Sequence, residues 1–255
     1  MARALAALTI GPFEPRGRDG VLADVKAFSA LGLHGAAAVT TIAEAKLSAE
    51  TVTAQIEAVL GSTRVDAVKL TCPADAALLE AIAGVLVRYD VQMLVLDPEG
   101  AANDATARKA LQARLLPLTL VAVPNMAEAG ALTGLPVETW EDMREVARAI
   151  AAMGPANVVI KGGARAGDQV TDLLFDGADF RDFTAKRVEL VSVPGAGTTF
   201  AAAVAATLAK GEPVQHSIAA AKAYVTKALQ ETYDIGADQA VHHFYRYWRP
   251  SAPQP

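Results

Sequence analysis

Apolar residues in this chain fall into two kinds of run that alternate. Short stretches rich in β-branched residues read as buried strands at Ala4–Ile10, Ala36–Ile42, Ala67–Leu70, Val91–Leu96, Leu118–Val123 and Asn157–Ile160. Between them, apolar positions at 3.6-residue spacing predict helices over Val21–Leu33, Ser48–Leu60, Pro73–Arg88, Asp104–Leu115, Asn125–Thr133 and Thr139–Met153. Strands alternating with helices predict an α/β fold with a mostly parallel central sheet flanked by helices on both faces. The rhythm then breaks. Gln169–Phe175 and Asp179–Thr184 flank Asp176-Gly177, a hairpin turn signal, which predicts an antiparallel edge on the sheet. Two more helices are expected over Gly197–Lys210 and Val214–Gln230. No linker-like shift or repeat divides the chain, so residues 1–255 read as one domain, with a Pro-rich end at 246–255 expected to fray.

Composition narrows the class. The 255 residues carry 23 Lys+Arg against 28 Asp+Glu, a net charge of -5 with no basic block, which argues against nucleic acid. A single cysteine excludes an internal disulfide. No apolar run approaches the roughly 18 residues of a membrane helix. The short apolar start, soon followed by Gly11-Pro12, does not fit a secretory signal. A soluble, cytoplasmic protein with a small-molecule partner is the expectation.

Three segments can carry chemistry. Gly195-Ala196-Gly197 precedes a helix, where backbone N–H groups and the helix dipole favour an anion; a plain tight turn is the alternative. Asn125 and Glu128 follow a strand end and Pro124, with the spacing of a helix capping box. Lys161-Gly162-Gly163 ends another strand with a cation and two flexible residues. In open α/β sheets, ligands bind outside the carboxyl ends of strands, which would place Asn125, Glu128 and Lys161 in one crevice. Of the remaining singled-out residues, Cys72 has no histidine near it in sequence and reads as a packed or pocket-wall thiol. His242-His243 and the two tryptophans read as packing residues, and His34 as a helix-ending cation.

Together these segments resemble the hydroxymethylpyrimidine/phosphomethylpyrimidine kinase family, a branch of the ribokinase-like fold. The resemblance runs in order through Leu8-Thr9-Ile10, Gly20–Gly32, Asp97-Pro98, Pro124-Asn125-x-x-Glu128-Ala129, Lys161-Gly162-Gly163, Asp172–Phe175, Phe183-Thr184-Ala185, Pro194–Thr198 and Val241–Phe244. It implies transfer of the ATP γ-phosphate to the hydroxymethyl group of a pyrimidine, then to its monophosphate, with ATP and Mg²⁺ as cofactors and a homodimer as the assembly. On this reading Asn125 and Glu128 organise the phosphates and, indirectly, the metal. Lys161, Gly162 and Gly163 lie beside the nucleotide, and Gly195, Ala196 and Gly197 form an anion hole for transition-state charge.

The acceptor half departs from the family. Where it places a Cys or Asp that takes the hydroxyl proton, this chain has Thr198. Glu14 replaces an aspartate in the loop that closes at Gly20. Ala45 is the best match to the glutamine that holds the pyrimidine, in a segment shorter than the family's flap. Cys72 replaces a pocket methionine, and Glu99 an apolar residue. These changes make a pyrimidine-like or other alcohol the expected acceptor and a phosphorylated one disfavoured, by carboxylates placed near it. They also open a rival reading, a catalytically silent paralogue that binds a ligand or regulates a partner.

Overall fold

A computed structural model describes residues 3–189, 193–236 and 238–250. In chain order the elements are β1 (Ala6–Phe13), α1 (Gly20–Ala30), β2 (His34–Ile42), β3 (Ala45–Lys46), α2 (Ala49–Leu60), β4 (Ala67–Thr71), α3 (Ala76–Arg88), β5 (Leu94–Asp97), α4 (Glu99–Asn103), α5 (Ala105–Ala110), β6 (Val121–Ala122), α6 (Met126–Thr133), α7 (Trp140–Ala151), β7 (Asn157–Ile160), β8 (Gln169–Phe175), β9 (Phe180–Lys186), α8 (Ala196–Leu208), α9 (Val214–Gln230), β10 (Tyr233–Asp234) and β11 (Gln239–Ala240). Nine strands form one sheet in the order β3-β2-β1-β4-β5-β6-β7-β8-β9. Strands β2, β1, β4, β5, β6 and β7 run parallel; β3 and the β8–β9 hairpin are antiparallel edges. The predicted architecture is therefore the observed one.

Side-chain alternation along the strands sorts the core into two layers. Leu8, Ile10, Val68, Leu70, Leu94 and Leu96 face the helices α2, α3, α5, α6 and α7. Ala7, Ala67, Val95, Val121 and Val159 face α1, α8 and α9. Helix α8 is buried on nearly every side, between the sheet, α1 and α9. Its run Ala201–Ala203 and Ala205-Ala206 lets these neighbours approach closely. The same alternation puts Thr9 and Lys69 on the α1 side. There the buried Asp24 accepts hydrogen bonds from Thr9 Oγ1 at 2.5 Å and Lys69 Nζ at 2.9 Å.

Several boundaries differ from the sequence expectation. The predicted helix over Asp104–Leu115 begins where expected, with Asp104 capping α5 through the amides of Thr106 and Ala107. It then loosens into a π turn over Leu111–Leu115, and an extra short helix, α4, starts directly after Pro98. His34 does not end a helix: α1 stops at Ala30, Gly32 turns the chain at φ 83°, and His34 opens β2. In the segment expected to fray at 246–255, the described residues 246–250 are exposed and make a few contacts with the body of the fold. Trp248 packs on His242 and Tyr233, and Tyr247 donates to the Ala30 carbonyl at 3.1 Å. Residues 251–255 lie outside the described residues. Among the described residues, no helix is long and apolar enough to cross a membrane.

Candidate active site

The carboxyl ends of β1, β4, β5, β6 and β7 open on one edge of the sheet, and the amino end of α8 meets them there. They enclose a groove in three linked parts. A largely apolar chamber of about 350 Å³ is walled by Val170, Val188, Phe200, Val225 and Leu229. A polar pocket of about 340 Å³ is walled by the loop from Pro12 to Gly20, with Ala43, Glu44, Thr71, Glu99 and Thr198. A neck of about 140 Å³ joins them, sharing Asn125, Lys161 and Gly197 with the chamber and Asp19, Glu99 and Thr198 with the polar pocket.

The neck follows from local sequence rules. Pro124 ends the β6 strand run, and Asn125 caps α6. The Glu128 N–H donates to Asn125 Oδ1 at 2.9 Å, while the Asn125 N–H and side-chain amide donate to the Glu128 carboxylate at 2.7 and 2.5 Å. The capping box and the site are thus the same pair: starting the helix also aims Glu128 at the neck. Lys161 leaves β7 with its N–H on the Pro124 carbonyl and its ammonium 3.4 Å from Asp97. Burial opposes that charge, but Asp97 and Glu128 hold the lysine above its ordinary pKa. Burial likewise raises Glu128, and Asp97 adds to it, against the pull of Lys161. A Cβ on Gly197 would lie 3.4 Å from Lys161 Nζ, so the ammonium sits directly over the first turn of α8.

Two glycines join this turn to the loop from Pro12 to Gly20. Gly195 has φ 85°, and a Cβ on it would lie 1.9 Å from the Arg18 carbonyl oxygen; Gly20 has φ 62°, with Pro12 O at 2.1 Å from the same position. Only glycine fits either place. Thr198 is buried at the junction of neck and polar pocket, whereas Thr199 points to the core and bonds His243 Nε2 at 3.1 Å. Burial drives the pKa of His243 down to about 3, so it packs as a neutral ring.

In the polar pocket, Glu14 does not stand free. Burial works against its charge, but the Arg16 side chain and the Arg18 and Arg16 amides bring its pKa down to about 2. Glu99 behaves oppositely. Desolvation first, then the Asp97 and Asp19 carboxylates, push its pKa up to about 7. Thr71 is fixed by a 2.5 Å bond from Lys69 Nζ, which ties this wall to the buried Asp24.

Three residues expected at the site lie off the groove. Ala45 begins the edge strand β3 and faces solvent; its neighbours Ala43 and Glu44, at the tip of the β2–β3 turn, line the pocket instead. Cys72 is 1% exposed and belongs to the apolar layer beneath Thr71, with its thiol pushed up by burial and by Asp97. Gly162 is pressed against β8, where a Cβ would lie 1.9 Å from Thr171 O, and its N–H bonds Asp172; Gly163, one residue on, lines the chamber. Conversely, Asp97, Asp19 and the Lys222–Asp172 pair at 2.8 Å were not singled out as site residues. Lys222 carried a readable signal, a lone cation on the α9 face that also bears Ile218, Ala221 and Val225.

An open, mostly parallel sheet here brings a glycine-started helix, a cation and carboxylates together at its strand ends, where such sheets bind ligands. The family model described as phosphomethylpyrimidine kinase matches residues 14–243. The chain is 39% identical to the hydroxymethylpyrimidine/phosphomethylpyrimidine kinase of Rhizobium meliloti, over 95% of this chain and 98% of that one. To the Escherichia coli enzyme of the same name it is 32% identical, over 96% and 100%. Among solved structures, the pyridoxal kinase of Staphylococcus aureus in complex with ADP superposes with a TM-score of 0.90 at 30% identity, covering 97% of each chain. Pyridoxal kinase from Bacillus subtilis, as an ADP complex, gives 0.88 at 30%, covering 94% of this chain and 98% of that one. This chain belongs to the phosphomethylpyrimidine kinase family.

Proposed function

We propose that the protein is an ATP-dependent kinase that phosphorylates the hydroxymethyl group of a small heteroaromatic alcohol, a pyrimidine or the related pyridine. The observation that carries this is the continuity of the groove: an apolar chamber sized for a base, a neck with a cation and a helix start, and a polar pocket beyond. The nucleotide ring occupies the chamber, its phosphates cross the neck, and the acceptor sits against Thr71, Thr198 and Glu99. The reading is supported by solved neighbours that bind such molecules, the S. aureus pyridoxal kinase in complex with AMP-PCP and pyridoxal and the B. subtilis one with ADP.

In the neck, Lys161 neutralises phosphate charge while the amides at the start of α8 receive the charge that develops in transfer. The hard oxygen donors there, Glu128 foremost, would suit Mg²⁺, which would supply neutralisation of phosphate charge. Among the described residues no three His, Cys, Asp or Glu side chains form a metal cage, so these donors suit an ion carried largely by phosphates and water. Among the described residues lining the polar pocket, Arg16 is the one cation and is bonded to Glu14, while Asp19, Glu44 and Glu99 add negative charge. A free alcohol is therefore the preferred acceptor over a phosphate monoester.

Thermal melting with ATP–Mg²⁺, followed by turnover on hydroxymethylpyrimidine, its monophosphate and pyridoxal, tests the reading. The expected result is a nucleotide-dependent rise in Tm and phosphorylation of an unphosphorylated alcohol. Absence of the rise overturns it. A rise without turnover of any of these acceptors favours a ligand-binding paralogue.

A further inference from the structure

Phosphoryl transfer to an alcohol releases the hydroxyl proton, so a group that can hold it must stand where the acceptor meets the phosphates. Asp19, Glu99 and Thr198 line both the neck and the polar pocket. Thr198 is excluded by its chemistry, because an aliphatic hydroxyl is no base near neutral pH. Asp19 is committed elsewhere: its Oδ1 accepts from the Gly20 N–H at 2.7 Å and caps α1. Glu99 has no such commitment. It opens α4 directly after Asp97-Pro98 and is exposed to the groove; among the described residues its carboxylate has no hydrogen-bond or ion-pair partner.

We propose that Glu99 is the catalytic base of this enzyme, taking the proton from the acceptor hydroxyl at the junction of neck and polar pocket. The inference rests on the kinase reading above. As the O–H bond breaks, its electron pair stays on the alcohol oxygen, which forms the new bond to the γ-phosphorus of ATP. The bond from that phosphorus to the β–γ bridging oxygen breaks, and ADP leaves with that pair. The proton on Glu99 then passes to solvent, to which the residue is open.

The surrounding charges suit the role. Asp97 on its own segment, Asp19 at the start of α1 and Glu128 on α6 face Glu99 as like charges; Lys69 on β4 and Lys161 just past β7 oppose them. From the pocket side Glu14 is paired with Arg16, and Glu44 stands across the cavity. Desolvation, then the Asp97 and Asp19 carboxylates, raise Glu99, but the role stands on its place at the junction of neck and polar pocket and on a carboxylate without a partner among the described residues.

Steady-state kinetics of the full chain on hydroxymethylpyrimidine with ATP–Mg²⁺, across acid to alkaline pH, test the assignment. Glu99→Gln should lower kcat by about 10²–10⁴-fold, while the KM for ATP and the nucleotide-induced melting shift are kept. Glu99→Asp should recover part of the loss. The wild-type kcat profile should rise with pH on an acid limb that is absent from Glu99→Gln. Retained kcat in Glu99→Gln overturns the proposal; so does a loss confined to the acceptor KM, which would make Glu99 a recognition group. Asp19→Asn, which keeps a good helix cap, should lose less than Glu99→Gln; the reverse order overturns it too. Wild-type protein that binds ATP but phosphorylates no alcohol overturns the kinase reading and this role together, an outcome distinct from an active wild type with an active Glu99→Gln.

Discussion

The nucleotide end of the groove and its acceptor end are built by different rules. At the end proposed for the nucleotide, charges are paired across the fold: Lys161, just past β7, with Asp97 of β5, and Lys222 of α9 with Asp172 of β8. Each such pair is held by elements far apart in sequence, so the whole sheet fixes its geometry. At the end proposed for the acceptor, Glu14 is bonded within its own loop, and the Glu99 carboxylate has no hydrogen-bond or ion-pair partner among the described residues. A loop that satisfies itself, or a free carboxylate, can change without loosening the sheet. It is also where the sequence reading expects departures from the family, at Glu14, Ala45, Thr198 and Glu99. On the proposed reading, the difference teaches that phosphate handling is locked into the fold, while acceptor choice is carried by a surface that can vary.

The comparison is tested most severely at Lys161. Lys161→Met should reduce kcat by about 10²–10³-fold, the usual loss for one preset donor at developing charge, and should abolish the ATP-induced rise in melting temperature. A variant that keeps both would show the neck is not the phosphate site. Gly195→Ala should come next, at about 2 kcal/mol of stability, since left-handed backbone costs an L-residue about 1–2 kcal/mol and the Arg18 carbonyl must also move. Chemical denaturation reads it, and unchanged stability would mean that the loop is not docked on α8 as described. Asn125→Ala removes one cap and should destabilise by about 1 kcal/mol, with a weaker ATP-induced shift because Glu128 loses its orienting amide. A stability loss with an unaltered shift would separate the helix cap from the site.

Much of the fold was legible because βαβ alternation is a periodic signal. The strands at Ala67–Leu70 and Asn157–Ile160 and the Asp176-Gly177 turn lie within a residue of their observed places. What was not legible depended on side-chain direction. Cys72 and Thr71 are neighbours in sequence, yet alternation sends one into the core and the other to the pocket, and register at a strand's last residue is not fixed by composition. Ala45 was placed at the acceptor by resemblance; the tight β2–β3 turn moves the lining role to Ala43 and Glu44. Asn125 and Glu128 were legible twice over, as a cap and as a site, because one geometry serves both. The pairing of Lys161 with Asp97 spans two crossovers of the sheet, so no local pattern could show it.

The smallest predicted effect is also the one that sets the two acceptor-side glutamates against each other. Glu14, held down to about 2 from 4.5, binds fewer protons in the folded state, so it adds stability that is present above pH 4.5 and lost as pH falls toward 2. Glu99, raised from 4.5 to about 7, binds more protons when folded, so its contribution is fully present below pH 4.5 and is lost as pH rises to 7. Replacing each with glutamine should remove its own slope. Glu14→Gln should flatten the acid side of the stability profile, by no more than about 1 kcal/mol for a pair this near solvent. Glu99→Gln should leave acid stability unchanged and raise Tm above pH 7. Melting curves of both variants over the pH range decide the matter. If Glu99→Gln gains nothing at alkaline pH, its carboxylate ionises without hindrance, and the acceptor end holds no strained charge for catalysis to use.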